Sequence, residues 1–162
     1  MKHLLLTLCA ATCLAIPAAA HEYKIGDLVV DHPMAFETAK TAMAGGGYLI
    51  ITNTGTTADS LIAVEADFPR VMIHTTEETD GIAKMRHVDR IEIPAGETVK
   101  LEPGGFHVMF MGLNGDPFED GEQIPATLLF ENAGALDIVF NVEPRKDAHD
   151  HKDHDHSGHD NH

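Results

Sequence analysis

The segment Phe106-His107-Val108-Met109-Phe110-Met111-Gly112-Leu113 decides the fold class. Successive side chains of a strand point to opposite faces. His107, Met109 and Met111 therefore share one face, and Val108, Phe110 and Gly112 take the other. Turn formers bound the run on both sides, Pro103-Gly104-Gly105 before it and Asn114-Gly115-Asp116-Pro117 after it.

The same grammar extends along the chain. Runs rich in β-formers occupy 48–52, 60–65, 71–75, 83–88, 98–101, 126–131 and 136–142, with 107–113 among them. Between and before them lie the turn signals Asp31-His32-Pro33, Gly45-Gly46-Gly47, Asn53-Thr54-Gly55, Asp80-Gly81, Pro94-Ala95-Gly96 and Asn132-Ala133-Gly134. Several runs alternate as half-buried strands do: Leu136, Ile138 and Phe140 oppose Asp137, Val139 and Asn141, and Val99 and Leu101 oppose Lys100. No helical period of useful length appears. Short strands at this spacing predict an all-β domain, an antiparallel β-sandwich or barrel. Gly45-Gly46-Gly47 has no phosphate-loop pattern and is expected to be a turn.

The length of 162 residues and a hydrophobic content of 43% suit one domain with a proper core. Residues 1–20 have the marks of an export signal. Lys2 is followed by an apolar run over 4–16, then Pro17 and the small residues Ala18-Ala19-Ala20. The apolar run is shorter than the roughly 20 residues that a membrane span needs. Cys9 and Cys13 lie inside that run and not just after the cleavage point, which speaks against lipidation. Cleavage after Ala20 removes both cysteines, and with them any disulfide, thiol chemistry or copper-thiolate site. It also removes Lys2 and takes the net charge from −15 to one unit more negative. Such acidity disfavours nucleic acid and anionic membranes as partners. The expected organisation is a signal peptide over 1–20, a β-domain over 21–144 and a tail over 145–162, with the protein in the periplasm.

Three strand runs each carry Met and His on one face. Met72 and His74 alternate with Val71 and Ile73, Met85 and His87 share a face, and so do His107, Met109 and Met111. If the runs are neighbours, soft and borderline ligands converge. A thioether is a neutral, polarisable donor that suits Cu(I) and serves Zn, Mg or Ca poorly, while imidazole suits copper in either oxidation state. Thioethers also form no disulfides in an oxidising compartment, although sulfoxide formation remains a hazard. Each Met taken singly is an ordinary core gap-filler. Three coincident His/Met faces favour a metal, with Met72, His87 and Met111 closer to the core or rim role.

His74, ten residues, Met85, twenty-one residues, then His107-Val108-Met109 spells H-x10-M-x21-H-x-M. This pattern resembles the signature of the PCuAC family of periplasmic copper chaperones. Gly47-Tyr48-Leu49-Ile50-Ile51-Thr52-Asn53-Thr54-Gly55, Ile93-Pro94-Ala95-Gly96 and the stretch from Pro103 to Leu113 are also similar to it. The likeness covers roughly residues 23–142. It implies a cupredoxin-like Greek-key β-sandwich and a Cu(I) site made by His74, Met85, His107 and Met109. It further implies copper supply for assembly of cytochrome c oxidase and its binuclear copper centre. The expected partners are copper ions and the copper-bearing oxidase subunit or another copper chaperone.

The tail carries His149, His151, His154, His156, His159 and His162 among Asp and Lys, with no apolar face, and is expected to be disordered when metal-free. Imidazole without thioether favours Cu(II), Ni(II) or Zn(II), so a second site leaning to Cu(II) is expected there. Cleavage after Ala20 would also make His21 the first residue, whose amino group and imidazole chelate Cu(II). A brace of that kind needs a second His nearby. His32 is the nearest in sequence, and the sequence does not place it.

A metal carrier without catalysis fits these features best. An electron-transfer cupredoxin fails because its thiolate ligand is missing. A copper buffer or resistance protein without a dedicated client, and a copper oxidoreductase using His21, remain as alternatives.

Overall fold

A computed structural model describes residues 22–145. The expected signal peptide, His21 and the histidine tail lie outside the described residues. Among the described residues eleven strands follow one another: β1 (Glu22–Ile25), β2 (Leu28–Phe36), β3 (Ala44–Asn53), β4 (Asp59–Ala66), β5 (Arg70–Thr79), β6 (Ile82–His87), β7 (Ile91–Ile93), β8 (Thr98–Leu101), β9 (Phe106–Met111), β10 (Gln123–Phe130) and β11 (Gly134–Glu143). Their hydrogen-bonded order is β6-β5-β9-β8-β3-β2-β11-β10-β4-β7, with β1 on β2 and β9 also on β3. The pairs are antiparallel except β11 on β2 and the short contact of β8 with β9. The fold is all-β, as the strand spacing predicts, and is the cupredoxin-like Greek-key sandwich that the resemblance implies.

The core follows from the alternation. Val108 and Phe110 of β9, Ile73 of β5, Ile138 and Phe140 of β11 and Leu101 of β8 all turn inward and are buried. The Phe110 ring packs edge-on against Phe140 at 5.4 Å and Phe118 at 5.7 Å, and tilts against Phe68 at 5.2 Å. Such aromatic contacts add specificity to the area they bury.

Two turn signals prove to be strand features. Gly45-Gly46-Gly47 lies inside β3, paired with Phe110, Met109 and Val108 of β9. The glycines are there because rings crowd the backbone. A Cβ on Gly45 would stand 2.3 Å from the Phe118 ring, and one on Gly47 would stand 2.7 Å from that of Phe110. Glycine within a strand pattern marks such close approaches. Asp31-His32-Pro33 lies within β2 as a bulge, where pairing with β3 shifts between Asp31 and Met34 and His32 adopts φ 48°. Asp80-Gly81, with φ 55° and 75°, makes the expected tight hairpin between β5 and β6.

Candidate metal centre

Register, more than sequence spacing, builds the site. β5 pairs antiparallel with β9 so that Met72 faces Met109 and His74 faces His107. On its other side β5 pairs with β6, which sets His74 against His87 and Thr76 against Met85. Directly opposed residues of an antiparallel pair lie on the same face. Met72, His74, Met85, His87, His107, Met109 and Met111 therefore all occupy the outer face, while Ile73, Val108 and Phe110 are buried beneath it.

His74 is at the middle. Its ring centroid is 5.9 Å from that of His107 and 5.9 Å from that of His87. Met72 and Met109 form the next pair along the strands, and both are half-buried. Met85 is one same-face step beyond His87 on the outermost strand and is 64% exposed. Met111 faces Arg70 at the far end of the pairing.

The imidazoles are held in defined orientations. His107 is only 4% exposed, and its Nδ1 donates to the Gly105 carbonyl at 3.0 Å. That bond keeps the proton on Nδ1 and leaves the Nε2 lone pair free. Nε2 of His107 is buried with no hydrogen-bond partner, and so is Nδ1 of His74. A buried polar atom left unsatisfied costs about 1–3 kcal/mol. Two on one cluster leave two nitrogen lone pairs or protons in want of a partner. His87 differs: its Nδ1 donates to the Ile73 carbonyl at 3.0 Å, and its Nε2 lies 3.4 Å from Asp89. Burial, with the nearby His107 and His87 adding to it, lowers the His74 pKa below its ordinary value. His74 is thus a neutral donor at neutral pH.

Among the described residues no three His, Cys, Asp or Glu side chains come close enough to hold a metal ion. The remaining candidate donors on this face are thioethers, and two imidazoles with neighbouring thioethers are a soft, uncharged donor set. Gly46 contributes by absence. It pairs with Met109, and the Tyr48 hydroxyl occupies the space where a Cβ would sit, 2.7 Å from that position. The sequence signal for this was the glycine run followed by an aromatic within a strand pattern. The carbonyl of Gly105 that orients His107 left no signal in residue types.

A family model described as putative lipoprotein LpqE-like matches residues 28–142. The chain belongs to the LpqE-like family. This LpqE-like chain is 34% identical over 95 residues to the putative lipoprotein Lxx21020 of Leifsonia xyli subsp. xyli (strain CTCB07), covering 57% of each. It thus spans little more than half of that relative's length. Its fold matches the copper-bound PCuAC domain from PmoF2, with TM-score 0.64 and 29% identity over 76% of this chain and 98% of that one. The apo PCuAC domain from PmoF1 gives TM-score 0.65 and 29% identity over 76% and 99%. The solution structure of CuI-DR1885 from Deinococcus radiodurans gives 0.58 and 25% over 78% and 83%.

Proposed function

We propose that this protein is an exported copper chaperone that carries one Cu(I) ion on the outer face of β5, β6 and β9. The ligands in this reading are His74, Met85, His107 and Met109. The observation that carries it is the pair of buried, unsatisfied imidazole nitrogens, His74 Nδ1 and His107 Nε2, on a face lined with thioethers. The similarity to structures titled copper-bound and CuI supports copper as the cargo. Thioether and imidazole ligands hold Cu(I) without adding charge, so a stronger site can take the ion from them. The exposure of Met85 on the outermost strand supports the same role, because an acceptor meets that ligand first.

Within the same reading residues 1–20 direct export to the periplasm and are removed. The acceptor is the copper-bearing subunit of cytochrome c oxidase, at its binuclear centre, or another copper chaperone. His149, His151, His154, His156, His159 and His162 form a second site that gathers Cu(II). The protein performs no catalysis.

X-ray absorption of the Cu(I)-loaded protein should give mixed sulfur and nitrogen ligation. Met85→Ala combined with Met109→Ala should remove sulfur and weaken Cu(I) binding strongly. Undiminished Cu(I) affinity in the double variant would show the ligand assignment to be wrong. A chain ending at Pro144 should lose Cu(II) equivalents and keep the Cu(I) one. Unchanged Cu(II) stoichiometry would remove the tail site. Delivery predicts that a deletion strain at limiting copper loses oxidase activity and regains it on copper addition.

A further inference from the structure

Beside the His/Met face one glycine leaves a gap that a phenol fills. Gly46 of β3 pairs with Met109 of β9. On its other side β3 pairs with β2, where Ala35 faces Gly47, and the next step of that register sets Phe36 beside Gly46. Opposed Cβ positions on neighbouring strands lie roughly 5 Å apart. A residue without a side chain at position 46 therefore leaves an open slot between Phe36 and Met109. Tyr48 is two residues along β3 and shares the face of Gly46. Its hydroxyl oxygen stands 2.7 Å from the Gly46 Cβ position, and its Cζ stands 3.2 Å from it. The phenol thus lies in the slot. The Phe36 ring, 5.7 Å away between centroids, backs it on the β2 side. Met109 is its neighbour on the β9 side.

Covering a bare backbone requires only a ring. The hydroxyl at its tip needs a separate reason. Burial raises the Tyr48 pKa above its ordinary value, while Arg145 opposes this, so the group keeps its proton and stays a hydrogen-bond donor. A thioether sulfur is a weak acceptor. Its two lone pairs let it bind a metal through one while the other takes a hydrogen bond. Methionine also has three rotatable side-chain bonds, so on a sheet face it is held only by what stands around it. Met109 has Met72 opposite it on β5 and the Tyr48 phenol on the β3 side.

We propose that Tyr48 is a positioning residue for Met109: its hydroxyl donates to the Met109 sulfur and keeps the thioether turned toward His74 and His107. The role rests on the reading of Met109 as a Cu(I) ligand. The phenol occupies one sulfur lone pair and walls the β3 side, so the other lone pair is presented on the β5 side, where His74 stands. Groups that orient a ligand from behind typically change metal affinity by about tenfold to a hundredfold. A weak sulfur acceptor puts Tyr48 at the low end of that range, about tenfold.

The test compares Tyr48→Phe with the parent in the full-length mature chain. Tyr23→Phe is the control, since Tyr23 is the other tyrosine of the chain and its hydroxyl bonds the Val139 amide on β11. Carbon-13 spectra of the methionine methyl groups are recorded without metal. Tyr48→Phe should shift the Met109 methyl and leave that of Met85 in place, and Tyr23→Phe should shift neither. Cu(I) affinity is then measured by competition with a Cu(I) chelator. Tyr48→Phe, which keeps the ring over Gly46, should bind about tenfold more weakly, and Tyr23→Phe should match the parent. An unmoved Met109 methyl in Tyr48→Phe overturns the proposal, and so does a Cu(I) affinity equal to the parent's. Met109→Leu separates this proposal from the reading it rests on. Unchanged Cu(I) affinity in Met109→Leu rejects the ligand assignment itself, whereas a loss there with none in Tyr48→Phe rejects only the positioning role.

Discussion

Replacing Gly47 by alanine tests whether the packing between β3 and β9 is as tight as the geometry requires. The added Cβ would stand 2.7 Å from Phe110 Cε2 and 3.1 Å from Phe140 Cε1. Carbon atoms in ordinary contact are about 3.5–4.0 Å apart, so the nearer ring must retreat by roughly 0.8 Å. It has nowhere to go: Phe110 and Phe140 are fully buried, and Phe110 is further wedged by Phe68 and Phe118. Forcing a methyl into a packed core costs about 1–3 kcal/mol. Restricting the unfolded chain offsets only about 0.4–1 kcal/mol of that. The net expectation is a loss of about 1–2 kcal/mol, which for a domain of this size lowers Tm by roughly 4–8 °C. Gly105→Ala is the matched control. Its Cβ would meet nothing nearer than 3.6 Å, and its φ lies outside the left-handed region. Only the unfolded-state gain remains there, so Gly105→Ala should be equal to or slightly more stable than the parent. Urea unfolding of the three proteins measures the contrast. Equal stability of Gly47→Ala and Gly105→Ala would refute the tight approach of the rings to β3, and with it the reason given for glycine in a strand.

Two pH-dependent effects follow from other buried groups. Burial pushes the Asp59 carboxyl up, but the amides of Asn132, Ser60 and Ala133 and the Asn132 side chain outweigh it and hold the pKa below its ordinary value. The unfolded chain therefore takes this proton first. The contribution is complete above about pH 4 and is lost as pH falls through the folded value. Asp59→Asn should cost about 1–3 kcal/mol at pH 7, and a gap that did not narrow on acidification would contradict this origin. His74 has the opposite charge type. Its lowered pKa means that the unfolded chain protonates first below about pH 6.5, so apo stability declines from there toward the folded value. Nuclear magnetic resonance should find the His74 ring titrating at lower pH than a model imidazole, and a midpoint at or above 6.5 would exclude the burial argument.

Some parts of this molecule were legible in residue order and others were not. Period-two alternation gave the inward set of β9 and β11 correctly, because burial on a sheet face is written directly in Val108, Phe110, Ile138 and Phe140. Turn residues gave the β5–β6 hairpin for a similar reason, since Asp80-Gly81 adopts the positive φ values its turn requires. The same rules misled at Gly45-Gly46-Gly47 and Asp31-His32-Pro33. Glycine and proline signal an unusual backbone, but a tight ring contact and a bulge need them as much as a turn does. β2 was not assigned as a strand because that signal interrupts it, and β1 is only four residues long. β7 is three residues long and too short to show a period.

The candidate metal centre divides along the same line. Which residues share a face is a local property, so each His/Met strand was visible by itself. That His74 stands between His107 and His87 is a property of register, carried by pairs more than ten residues apart in the chain. Register also separates the roles of the thioethers. Met72 and Met109 are opposed on central strands and half-buried, whereas Met85 is at the sheet's edge and exposed. A spacing pattern counts Met85 and Met109 as equal ligands. In the proposed site the fold would make Met109 an anchor beside a buried imidazole and Met85 a ligand that solvent, and so an acceptor, reaches first. That asymmetry is what directional transfer of a metal ion needs, and it exists only once β6 is paired to the outside of β5.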